Sequence, residues 1–125
     1  MGSDLERRAL MGIATATIAS GAVQAAAPAL VLAPLHADTG TTPRHLFGTI
    51  GMFMVCVGAT QLATLKHPPY DRRVVRWSGV QKLGAVAAVA IGVRRGVFAR
   101  RALAVAGFDA LSGVLAFHYL RHLPR

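Results

Sequence analysis

The sequence predicts an all-α fold: a single integral-membrane domain, residues 1–125, in which four transmembrane helices pack as an antiparallel bundle. Three observations carry that expectation. Apolar stretches occupy residues 9–33, 46–65, 77–93 and 102–120, and a helix needs about 17 to 25 residues to cross a hydrocarbon core roughly 30 Å thick. Between them lie only short polar segments, too small for a second domain. Hydrophobic residues make up 54% of the chain and charged residues 15%, where soluble domains carry about a quarter charged.

The first span is rich in Ala and Thr and follows Arg7-Arg8. That opening has the pattern of a twin-arginine or Sec signal, with an AxA-like site near Ala25-Ala26-Ala27. The apolar run continues past it through Leu30, Val31 and Leu32, which favours an uncleaved first helix. Pro28, and Pro34 just beyond, predict a kink or early exit, because proline lacks a backbone donor and disfavours helix in the residue before it. Residues 35–45 hold Asp38-Thr39-Gly40-Thr41-Thr42-Pro43, a turn-rich string. The second span ends at Lys66-His67-Pro68-Pro69, where two prolines stop a helix. The third span starts near Trp77, and a hairpin over 94–101, with Gly96 at its turn, leads into the fourth. Such short connections make successive helices antiparallel neighbours.

Fourteen Lys+Arg against five Asp+Glu give a formal charge of +9. The basic residues cluster at the ends of apolar spans, so they read as headgroup anchors and exclude nucleic acid as the partner. In a four-span chain, the N-terminus, the second loop and the C-terminus share a side. That side carries eight cations (Arg7, Arg8, Lys66, Arg72, Arg73, Arg76, Arg121 and Arg125), and the other carries five (Arg44, Arg94, Arg95, Arg100 and Arg101). The positive-inside rule therefore places both termini in the cytoplasm of a bacterial inner membrane. Arg94, Arg95, Arg100 and Arg101 then crowd a hairpin on the side where cations are unexpected. An acidic partner surface or anionic lipid would offset them.

Lys82 and Asp109 are the ionisable residues well inside the spans. A charge at mid-helix costs about 2.5 to 3.5 kcal/mol on insertion scales, so each needs a partner. Lys82 lies six residues beyond Arg76, about 9 Å along a helix, and Asp109 lies twelve before Arg121, about 18 Å. With spans three and four adjacent and staggered, the two pair; otherwise Lys82 snorkels and Asp109 bonds to Ser112. Gln81 and Ser112 extend the polar patch. Gly84, Ala88, Gly92 and Gly96 form a small-xxx-small ladder suited to close helix packing; Ala102, Ala106, Ala110 and Gly12, Ala16, Ser20 form similar stripes, and Gly113, four residues past Asp109, is a further packing glycine.

Catalytic machinery is not visible: there is no phosphate loop, HExxH or nucleophile elbow. Cys56 is single, so it forms no intrachain disulfide and reads as packing. His45 falls at one face and His67, His118 and His122 at the other, so no mid-membrane bis-histidine haem pair is expected. His118 and His122 share a helical face, but two residues are too few for a closed metal site. No metal and no cofactor are expected.

Trp77-Ser-Gly-Val-Gln81-Lys82-Leu-Gly84, followed by Phe108-Asp109-Ala-Leu-Ser112-Gly113, resembles small four-helix bacterial membrane proteins of the DoxX-like and DUF4345-like kind. The resemblance covers most of the chain and implies the fold, together with a place as a subunit in quinol-oxidising or thiol-stress membrane assemblies. Two functions follow from the residues. One is a non-catalytic accessory subunit of a larger integral-membrane complex, respiratory or photosynthetic, contacting it and anionic lipid. The other is a small dimeric transporter using Asp109 as its intramembrane acid. A quinone- or thiol-handling enzyme is the weakest reading, with one cysteine and no cofactor ligands.

Overall fold

A computed structural model describes residues 2–124. Five α-helices follow one another: α1 (Gly2–Ala26), α2 (Pro28–Leu32), α3 (Thr41–Lys66), α4 (Arg72–Arg94) and α5 (Ala102–His122), with a 3-10 turn at Ala33–Leu35. No strand occurs among the described residues. All but α2 are long and apolar enough to cross a membrane. Arg125, counted above toward orientation, lies outside the described residues.

Local chemistry sets the breaks. The first apolar span is two helices rather than one: Ala27, with φ −143° and ψ 66°, leaves the helical region directly before Pro28, which opens α2. A residue in the left-handed region, His36, ends the 3-10 turn. Asp71 caps α4, its side chain accepting a hydrogen bond from the Arg73 amide at 2.8 Å, while its own amide donates to Thr64 Oγ1 at 2.7 Å. Gly96 supplies the positive φ (74°) that turns the chain between α4 and α5.

The helices associate as two close pairs, α1 with α3 and α4 with α5, joined by slighter contacts. Each pair runs in opposite senses. Gly48 meets Ala25, Gly51 meets Gly21, and Gly58 meets Ala14 and Ile18. A Cβ on Gly21 or Gly51 would stand 2.6 Å from the other's carbonyl oxygen, so the α1 and α3 backbones touch where only glycine fits. Gln24 adds an interhelical bond, Nε2 donating to the Phe47 carbonyl at 2.9 Å.

The packing face of α1 differs from the stripe read in the sequence. Gly12, Ala16 and Ser20 are exposed, whereas Leu10, Ala14, Thr17, Gly21 and Gln24 are buried. Small residues occupy nearly every face of α1, so their spacing could not select one. The glycines of α3 make the selection. On α5, Ala102 and Ala106 are buried and Ala110 is half-buried.

The two pairs meet at both ends. Leu10, Leu65, Val75, Ala116, Tyr119 and Leu120 form a core drawn from α1, α3, α4 and α5 at the end holding the start of α1 and the end of α5. There the Arg7 guanidinium donates to the Leu65 carbonyl at 3.1 Å, satisfying an orphan acceptor of the α3 terminus. At the opposite end the Ala99 amide donates to the Leu35 carbonyl at 2.7 Å.

Candidate functional site

The α4–α5 pair is built around small residues that let a charged couple sit between them. A Cβ on Gly79 would meet Phe117 and Ala116, and one on Gly113 would meet Leu83 side-chain atoms at 2.8 Å. One turn along from these contacts, Lys82 Nζ donates to Asp109 Oδ1 at 2.9 Å. Lys82 is 6% exposed and Asp109 8%. Lys82 Nζ also stands 5.5 Å from the centre of the Phe108 ring, a cation–π distance. Asp4, Glu6, Asp38 and Asp71, the chain's other acids, lie at helix ends or in loops.

The supporting polar residues serve the backbone rather than the pair. Ser112 Oγ donates to the Phe108 carbonyl at 2.7 Å, and Ser78 Oγ to Val74 at 2.9 Å. Gln81 carries a buried Oε1 with no donor among the described residues. Open clefts lie at the helix ends. One, about 460 Å³, is lined by Arg72, Arg76 and Arg121; another, about 670 Å³, has Arg44, His45 and Thr41 on its wall. Neither is lined by Lys82 or Asp109.

The ladder on α4 does not act as one unit within the chain. Gly84 and Ala88 are exposed, and a Cβ on Gly84 would meet nothing within 4 Å. Gly92 is covered by the Phe98 ring, and Gly96 belongs to the turn, not to a helix interface. The reason is geometric. The face of α4 turned toward α5 carries Val75, Ser78, Gly79 and Lys82, which leaves Gly84 and Ala88 on the outside. Arg94, Arg95, Arg100 and Arg101 are all exposed, and none forms an ion pair among the described residues.

A second cluster escapes a reading of sequence alone. Glu6 of α1 reaches His118 of α5, with Oε1 to Nδ1 at 3.0 Å. The His118 and His122 rings lie 4.5 Å apart. Ligand-type atoms of all three residues fall within 4.8 Å of one another. The two-histidine set therefore has a third member. It is 112 residues away in the chain, and the only signal for it was the α1–α5 proximity that a closed bundle brings.

No family model, no characterised protein and no solved structure matches this chain.

Proposed function

We propose that the four long helices cross a bacterial inner membrane as an antiparallel bundle, both termini cytoplasmic, and that the protein is a non-catalytic accessory subunit of a larger integral-membrane complex. The observation that carries this reading is the closed Lys82–Asp109 pair. A transporter acid must exchange protons or cargo with water on each side. Asp109 instead spends its charge on a lysine of the same chain, away from the open clefts at the helix ends. A paired, buried couple of this kind fixes which helices sit together and in which register, the best-attested use of buried ion pairs.

The outer surface supports the same reading. Gly12, Gly84 and Gly107 present open backbone, with nothing within 4 Å of a would-be Cβ. Leu5, Leu30, Phe53, Trp77, Leu111 and Val114 are exposed apolar side chains, which suit lipid or a partner's helices. In lipid, close helix contact is gained through small residues on such faces. The four exposed arginines of the 94–101 hairpin suit an acidic partner loop or anionic lipid. The likeness to DoxX-like proteins points toward a respiratory assembly, and a photosynthetic one is the other setting for such a subunit.

Purification from native membranes in mild detergent tests the proposal. Co-migration with a large complex is the expected result. A lone homodimer that dissipates an ion or proton gradient in vesicles, and loses that activity in Asp109→Asn, would replace the subunit with the dimeric transporter.

A further inference from the structure

We propose that Glu6, His118 and His122 form a binding site for a divalent transition-metal ion of the zinc class, clamping the start of α1 to the end of α5. The inference goes beyond the subunit reading and does not rest on it. Two imidazoles and a carboxylate are a donor set that zinc and its neighbours accept, whereas calcium and magnesium want oxygen ligands alone.

The local bonding prepares the ligands. His122 Nδ1 lies 2.9 Å from the His118 carbonyl. A carbonyl only accepts, so that nitrogen carries the hydrogen and the lone pair of the neutral ring sits on Nε2. Metal-binding histidines are commonly oriented this way, one nitrogen held by a backbone carbonyl and the other offered to the ion. His118 Nδ1 and Glu6 Oε1 stand 3.0 Å apart, close to the separation of two donor atoms on one ion, so a metal would take the place of the hydrogen bond between them. Glu6 Oε2, the second oxygen, is buried and receives no hydrogen bond from the described residues. A buried carboxylate oxygen without a donor calls for an explanation, and a cation supplies one.

The spacing is close to what an ion requires. Ligand bonds of about 2.0 to 2.1 Å in a tetrahedral site put donor atoms about 3.4 Å apart. The three residues offer atoms within 4.8 Å of each other, so rotations that move donor atoms by about 1 to 1.5 Å complete the site. His118 and His122 are exposed and have room for that rotation. Three protein ligands leave a fourth position for water or for a partner's side chain. Because α1 and α5 belong to different helix pairs, the ion would cross-link the pairs beside the Leu10–Tyr119 core.

The test uses the full chain without an affinity tag, stripped of metal and held in mild detergent. Zinc is titrated against a competing chromophoric chelator, and cobalt(II) is followed by its visible absorption. One zinc per chain, with a rise in Tm on zinc addition, is the expected result. Glu6→Gln and His122→Ala should each weaken zinc at least tenfold and abolish the Tm rise, while His36→Ala, outside the cluster, changes neither. His122 is exposed, so its variant keeps the test valid should Glu6→Gln fold poorly. Absence of saturable one-to-one binding, or an affinity unchanged in His122→Ala, overturns the site and leaves Glu6–His118 as a hydrogen-bonded pair.

Discussion

Replacing Lys82 by Met strands the Asp109 carboxylate between α4 and α5. At 2.9 Å and an effective dielectric near 20, the Coulomb attraction between unit charges is about 6 kcal/mol. Much of that attraction only offsets the desolvation of two groups that are each less than a tenth exposed. Breaking such a pair from one side costs about 3 to 5 kcal/mol, because the remaining charge stays buried without a partner. Asp109→Asn strands Lys82 in the same way. Its residual contact with the Phe108 ring returns about 0.5 to 2 kcal/mol, so Asp109→Asn should be the milder single change. In Lys82→Met/Asp109→Asn no unpaired charge remains, and the loss relative to wild type should fall to about 1 to 2 kcal/mol or vanish. The assay is denaturant unfolding of the four proteins in one detergent, closed as a double-mutant cycle. A double variant that loses as much as the two single variants together would refute the reasoning, since it would mean that the charges do not stabilise each other.

Gly51→Ala should destabilise the α1–α3 pair by about 1 to 3 kcal/mol, because its Cβ would press on backbone atoms at 2.6 and 2.7 Å that cannot rotate away; unfolding in detergent checks it. Gly84→Ala, with open space around it, should leave the isolated chain within about 1 kcal/mol of wild type in the same assay. Changing Arg94, Arg95, Arg100 and Arg101 together to Gln should leave the bundle folded but release it from its parent complex at lower salt, read as retention through purification at rising ionic strength. Reporter fusions at the C-terminus should give fluorescence from a cytoplasmically active protein and no phosphatase activity.

The helices were legible because their signal is length and apolarity, which no tertiary contact needs to supply. The break at Pro28 was equally local: Ala27 leaves the helix for a steric reason present in the dipeptide itself. Lys82 and Asp109 stood out as charges in apolar runs, and the short 94–101 connection made their helices neighbours. What the sequence left open depends on how the pairs face one another. Gly12-Ala16-Ser20 and Ala14-Thr17-Gly21 are equally small on paper, and only the depth of Gly51 and Gly58 in α3 selects the second stripe. Gly84 and Ala88 continue a spacing that Gly92 shares, yet α5 covers a different side of α4. Nothing in the sequence singles out Glu6; the closure of the bundle sets it against His118.

The claim that the exposed small-residue face of α4 meets another protein is tested most directly by a photo-crosslinking residue at position 84, activated in intact membranes. A bulky probe there clashes with nothing in the chain itself, so the variant should fold and insert normally. The account predicts a discrete adduct with a different, larger membrane protein, lost when the probe is moved to position 119, where the buried Tyr119 already holds an aromatic ring. Adducts only at twice the mass of the chain, or none above those to lipid, would contradict it.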